Sequence, residues 1–249
     1  CLLNKHDYDF TPALPVLARC ARGNVPVILS SSKTEPEMTQ LADELGLSAS
    51  HLICENGGVV IWRDADTPVS RDVLGVERDQ IRAVLDSLRS QFRFRSFSDL
   101  GVDGVAEATD LPEPKARQAC DRHCTEPLLY EGPAGSESEF KSAIEAAGLT
   151  LTRGGRFWHV AGHTTKGRGM SAVLDRLEAR HRKHRSIAIG DSPIDQSMLD
   201  IADFPIGIPQ PDGSVLVSAG PSGLTSKQPG SVGWAETVSV LFDRLGVPE

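Results

Sequence analysis

Three short segments of the chain carry groups that could handle phosphate. Ser31 follows the apolar run Val25–Leu29 directly, and its hydroxyl can either bind an anion or cap the helix that comes next. Lys166 opens a helix in the stretch Thr164-Thr165-Lys166-Gly167. An ammonium there opposes the helix dipole, so it is either a solvated surface lysine or the partner of something anionic nearby. Gly190-Asp191-Ser192-Pro193-Ile194-Asp195 closes another apolar run with two carboxylates on one loop. Such hard oxygen ligands suit Mg²⁺, although either aspartate could instead cap a helix. Together, a hydroxyl, an ammonium and a carboxylate pair at successive strand ends can clamp a phosphoryl group and its metal. Phosphoryl transfer asks mainly for positioning and charge neutralisation. The set lacks a nucleophile. Ser31 sits in no nucleophile-elbow pattern, and His163, beside Gly162, reads as a surface histidine.

Such residues need rigid elements behind them. Thr11, Pro12 and the helical spacing of Leu14, Leu17, Ala18 and Ala21 predict a helix ending at Gly23-Asn24. Val25–Leu29 then reads as a buried strand, with Pro26 near its start. Thr34 and Glu37 form a capping box for a helix striped with Met38, Leu41 and Leu45. His51–Cys54 and Val59–Trp62 are strands joined by the turn Glu55-Asn56-Gly57-Gly58, so Asn56, like Ser31, lies just past a strand end. Apolar strands alternating with amphipathic helices argue for a parallel sheet covered on both faces, with ligands beyond the carboxyl ends of the strands.

From about Val76 the pattern changes. Ile81, Val84, Leu85 and Leu88 mark a helix, and Phe92, Phe94 and Phe97 follow in near alternation. A helix around Ala116–Cys120, a strand around Leu128–Tyr130 and a helix bearing Phe140 and Ile144 come next. Strands at Leu149–Thr152 and Phe157–Val160 then meet at a turn, Gly154-Gly155. These make a small α+β domain. It reads as an insertion, because the parallel pattern resumes with the Lys166 helix, the strands Ser186–Ile189 and Phe204–Ile208, a loop over 209–232 and a closing helix through Trp234 and Leu241. The expected class is α/β: a doubly wound, Rossmann-like parallel-sheet core (1–75 and 164–249) with an inserted α+β domain (76–163).

The bulk numbers narrow the functions. With 249 residues, 39% hydrophobic and 24% charged, the chain can bury a full core. A net charge of −8 argues against nucleic acid or an anionic membrane as partner, so an anionic substrate must be met by a few particular cations. There is no apolar run of about 18 residues and no signal-peptide pattern. Five cysteines without a CxxC pair fit a reduced, cytoplasmic setting.

A strand-terminal Ser31, a helix-opening Lys166 and the Gly190-Asp191…Asp195 loop, in that order, resemble the second to fourth motifs of the haloacid dehalogenase-like superfamily. Ser31-Ser32-Lys33-Thr34, Glu55-Asn56-Gly57-Gly58, Thr125-Glu126-Pro127-Leu128 and Gly154-Gly155-Arg156-Phe157 are similar to segments of its mannosyl-3-phosphoglycerate phosphatase family. The likeness runs from Cys1 to the helix at Trp234. It implies a phosphoric monoester hydrolase that takes Mg²⁺ and a small phosphorylated sugar-glycerate, with the inserted domain as cap. Ser31 would hydrogen-bond the phosphoryl oxygens, and Lys166 would neutralise charge. Asp191 would hold the metal, with Asp195 as a ligand or the partner of one. Lys33, Arg153 and Arg156 would face the glycerate carboxylate or sugar, and Asn56, Gly57, Gly58 and Glu126 would complete the substrate set. Another capped sugar phosphatase, or a non-catalytic binding protein of the same fold, is the alternative.

Two features qualify what the resemblance implies. Cys1-Leu2-Leu3 matches the residues just after the family's Asp-x-Asp-Gly signature, so the nucleophile and the acid–base aspartate are expected upstream, and residues 1–249 alone are expected not to turn over. Ile194 stands where the family has Asn. The expectation is a looser hold on Lys166 or on the metal ligands.

Overall fold

The computed structural model describes residues 1–64, 67–153, 156–180 and 184–249. They form two compact units, Cys1–Ile28 with Thr165–Glu249, and Leu29–Thr164. In the first unit a 3₁₀ turn, Thr11–Ala13, leads into α1 (Leu14–Arg22). Asp9 rather than Thr11 does the capping, because its Oδ1 accepts from both the Thr11 amide and hydroxyl.

The second unit holds two sheets. The first contains β1 (Leu29–Ser30), β2 (Leu52–Cys54), β3 (Val59–Trp62) and β4 (Ser70–Val73), paired in that order. Only β1 and β2 run parallel, Leu29 opposite Leu52 and Ser30 opposite Ile53. Val25–Leu29 therefore shrinks to a two-residue strand, paired on one side only among the described residues. Between β1 and β2 lies α2 (Glu35–Glu44), where the expected capping box forms: Glu37 reaches back to the Thr34 amide at 2.9 Å.

The rest of this unit runs α3 (Arg78–Leu88), β5 (Phe94–Ser96), α4 (Phe97–Thr109), α5 (Glu113–Cys120), β6 (Thr125–Tyr130), α6 (Glu137–Ala146), β7 (Thr150–Arg153) and β8 (Trp158–Ala161). The four strands pair antiparallel in the order β5-β6-β8-β7. One face of this sheet packs Phe94, Leu128, Leu151 and Val160 against Ile81 and Leu85 of α3 and Phe140 and Ile144 of α6. The Gly154-Gly155 turn lies outside the described residues.

In the remainder of the first unit come α7 (Lys166–Arg180), β9 (Ile187–Gly190), α8 (Gln196–Leu199), β10 (Phe204–Gly207), β11 (Leu224–Thr225) and α9 (Gly230–Leu245). The strands are all parallel, in the order β11-β10-β9, so β9 and β10 both present their carboxyl ends on one side. Ala188, Met198, Leu199 and Val217 pack behind that end. Among the described residues no helix is long and apolar enough to cross a membrane.

Candidate active site

The loop that leaves β9 is built around one buried carboxylate. A Cβ at Gly190 would strike Asp195, because the chain doubles back there. Asp195 is 3% exposed. Its Oδ2 accepts from the amides of Asp191 and Ser192, both at 3.0 Å, and from the Ser192 hydroxyl at 3.1 Å. Its Oδ1 accepts from Lys166 Nζ at 2.5 Å. Burial by itself would push this carboxyl up, but the Lys166 charge and the loop donors hold it below the usual aspartate value. Asp195 is therefore ionised, with both oxygens engaged.

Lys166 reaches that position because α7 begins hard against α8. A Cβ at Gly167 would strike the Ser197 carbonyl, and the Gly167 amide donates to Ser197 Oγ at 3.1 Å. Lys166 is 8% exposed, and among the described residues Asp195 is the side chain that aims it. Ile194 is 46% exposed, and the lysine is oriented by the Asp195 carboxylate.

Asp191 contrasts with Asp195. Its side chain is about a third exposed, with Oδ1 3.5 Å from the backbone nitrogen of Cys1. Its main chain is fixed by Gln210, whose Nε2 donates to the Asp191 carbonyl at 2.5 Å while its Oε1 accepts from Lys5 Nζ at 3.2 Å. Asp191 thus offers carboxylate oxygen to an incoming cation, whereas both oxygens of Asp195 already accept hydrogen bonds. Mg²⁺ commonly takes one or two carboxylates and completes its shell with water and phosphate oxygen. Among the described residues no group of three or more His, Cys, Asp or Glu could hold a metal unaided. The donor set therefore fits Mg²⁺ through Asp191, with Asp195 aiming both Asp191 and Lys166.

In the second unit, Ser31 is tied on both sides. Its amide donates to the Ile53 carbonyl at 3.0 Å, and its carbonyl accepts from the Asn56 amide at 2.9 Å. The Ser31 hydroxyl accepts from the Lys33 amide at 3.3 Å, which leaves its own hydrogen for an acceptor. The turn beside it is unusual: Glu55 and Asn56 have φ of 49° and 57°, and Gly57 has 90°. Glu55 pins this conformation. Fully buried, it accepts from the His123 amide at 2.8 Å, the Cys124 amide at 3.2 Å and the Thr125 hydroxyl at 2.5 Å. Gly58 lies so close to Cys124 Sγ that no Cβ fits there. Asn56 Oδ1 is a buried acceptor without a partner among the described residues, a place a bound hydroxyl or water would satisfy.

The structure thus gathers Lys166, Asp191 and Asp195 on one loop system, and Ser31, Lys33, Asn56, Gly57 and Gly58 on another. Several cations expected to meet substrate are already paired. Lys33 Nζ meets Glu37 at 3.1 Å. Arg156 bonds Asp110 at 3.2 Å and the Ala108 carbonyl. Arg153 lies over the Trp158 ring, 5.1 Å from its centroid. Glu126 is sealed, taking Arg78 Nε at 2.5 Å and the Ser98 amide at 2.7 Å. Gln210 has no local signal in the sequence, because it acts across long separations on Asp191 and Lys5. Glu55 has one, its place in the turn, but its bonds to residues 123–125 do not show there.

No family model matches the chain. The glucosyl-3-phosphoglycerate/mannosyl-3-phosphoglycerate phosphatase of Persephonella marina is 31% identical over 259 residues, spanning 98% of this chain and 94% of its own. Among solved structures, a haloacid dehalogenase-like hydrolase from Bacteroides thetaiotaomicron superposes with a TM-score of 0.66 at 16% identity, over 98% of this chain and 95% of that one. A haloacid dehalogenase subclass IIB sugar phosphatase gives 0.62 at 12% identity, over 99% and 96%. The expected α/β class, a Rossmann-like core carrying an α+β insertion, is therefore the haloacid dehalogenase-like fold, and its phosphatases are phosphoric monoester hydrolases. Within that class, the chain belongs to the glucosyl-3-phosphoglycerate/mannosyl-3-phosphoglycerate phosphatase family.

Proposed function

We propose that the protein hydrolyses mannosyl-3-phosphoglycerate to mannosylglycerate and phosphate, with Mg²⁺, through the aspartyl-phosphate that the family resemblance implies. The observation that carries this reading is the division of labour around Asp195, with Asp191 left open to a cation and Lys166 held ready for phosphoryl oxygen. When bound, Mg²⁺ supplies charge neutralisation at the phosphoryl oxygens. Lys166 adds a second positive charge, kept on station by Asp195. Ser31 donates its free hydroxyl hydrogen to a phosphoryl oxygen while the Lys33 amide holds its oxygen. Residues 76–163 act as the cap over a core of 1–75 and 164–249, excluding water from the reacting group. All five cysteines are free thiols, in keeping with a cytoplasmic enzyme.

The test is phosphate release from mannosyl- and glucosyl-3-phosphoglycerate, using the full-length protein, with Mg²⁺ or with EDTA. Release that EDTA abolishes and Asp191→Asn removes is the expected result. Turnover of other sugar phosphates but of neither phosphoglycerate would make the protein a different capped sugar phosphatase. No turnover of any phosphate ester with Mg²⁺ present would sink the catalytic reading.

A further inference from the structure

An acidic protein that acts on a phosphoglycerate must recognise a carboxylate as well as a phosphate. The cations first expected to do so are compromised: Lys33 by Glu37 and Arg156 by Asp110, while Arg153 is exposed over an indole ring. Arg122 differs. It is partly buried in the loop between α5 and β6 and makes no ion pair among the described residues. Its partners are all neutral. Nε donates to the Ala119 carbonyl at 2.9 Å, and Nη1 donates to Thr125 Oγ1 at 2.9 Å and to the Ser32 carbonyl at 3.4 Å. Its guanidinium carbon lies 5.7 Å from the Phe97 ring centroid, which steadies the plane. Nη2 donates no hydrogen bond to the described residues. Glu37 feels the Arg122 charge from a distance, but neutral acceptors fix the fork and no carboxylate bonds it among the described residues, which leaves it available for an external anion.

Its location sets which anion. The Ser32 contact puts the guanidinium beside the residue that follows Ser31. In a 3-phosphoglycerate one carbon separates the phosphorylated carbon from the carboxylate, so a phosphoryl group at Ser31 brings the carboxylate within a short reach. Glu55 backs the arrangement, because the Thr125 hydroxyl that accepts from Arg122 donates onward to Glu55. We infer that Arg122 binds the glycerate carboxylate and determines the preference for phosphoglycerate esters over sugar phosphates that lack a carboxylate. His159 does not compete as a cation: burial, then the Arg122 charge, pull it down to about 4.

This inference rests on the phosphoglycerate reading, so its test separates the two. Arg122→Gln and Arg122→Lys would be compared with the native protein on mannosyl-3-phosphoglycerate, on the analogue whose carboxylate is reduced to an alcohol, and on p-nitrophenyl phosphate. A thermal melt would first establish that both variants fold. The Gln variant is expected to lose about 100-fold in kcat/KM on the acid, mostly through KM, with p-nitrophenyl phosphate turnover within about twofold of native. Its acid-over-alcohol preference is expected to disappear, and Lys should restore part of it. Equal losses on all three substrates would overturn the inference. Glycerate as a competitive inhibitor of p-nitrophenyl phosphate turnover gives an independent reading. An inhibition constant unchanged by Arg122→Gln, or no inhibition of the native protein, defeats the carboxylate role whatever the natural substrate. Inhibition that is lost in the Gln variant, with no native turnover of either phosphoglycerate, supports Arg122 and defeats the proposed substrate.

Discussion

Asp195 and Glu55 are both sealed carboxylates at strand ends, and they are satisfied in opposite ways. Asp195 takes an ammonium on one oxygen and three loop donors on the other. Glu55 takes amides and a hydroxyl, with no cation within ion-pair distance among the described residues. A carboxylate facing dipoles fixes chain geometry, here a turn with three left-handed residues. A carboxylate facing an ammonium holds a positive charge in a fixed, buried place. The same side-chain chemistry thus serves shape in one unit and electrostatics in the other.

The sharpest way to break this contrast is Asp195→Asn. Leaving Lys166 buried and unpaired should cost about 3–5 kcal/mol in chemical denaturation and lower phosphate release by about 10³-fold. The double variant Asp195→Asn with Lys166→Met should lose less stability than the two single losses added. If Asp195→Asn proved no costlier than a change at Glu55, the distinction would be empty.

Glu55→Gln should cost about 1–3 kcal/mol, because an amide cannot accept from three donors as a carboxylate does. The expected kinetic signature is a raised KM, with p-nitrophenyl phosphate kcat lowered far less than by Asp195→Asn. A collapse of kcat equal to that of Asp195→Asn would contradict the assignment.

His159 supplies a third, milder case. Its folded value is depressed, so it binds fewer protons folded than unfolded between about pH 4 and 6.5. Its contribution is present above the unfolded value and is lost as pH falls through the folded one. No more than about 3 kcal/mol should disappear across that window, and His159→Gln should flatten this part of a pH–stability curve. Least of all should follow from Arg156→Ala. Its ion pair with Asp110 is exposed, so stability should change by less than about 1 kcal/mol and kcat/KM hardly at all. A large kinetic loss there would return Arg156 to the substrate site.

Much of this was legible because it was local. The capping box at Thr34 and Glu37, the Glu55–Gly58 turn, the helix start at Lys166 and the spacing of Asp191 and Asp195 all reveal themselves within a few residues. The misses have physical reasons. β4 is a polar, largely exposed edge carrying Ser70, Arg71 and Asp72, so it shows no apolar alternation. α4 begins on an aromatic that continues the pattern of β5, and Gly101 interrupts it with φ of 65°, so its helical period is hidden. Gln210 and Arg122 depend on partners 19 and 90 positions away, and no window along the chain contains both ends.

The cysteines lead to one more consequence. Cys54 and Cys124 are fully buried, and burial, followed by neighbouring glutamates, drives both thiols far above their ordinary titration range. Both flank the turn that holds Asn56, so neither can react with a thiol reagent until that region opens. The molecule therefore carries its own chemical stopwatch: the rate at which these two sulfurs become labelled, with and without a bound phosphate ester, reports how often the turn comes apart.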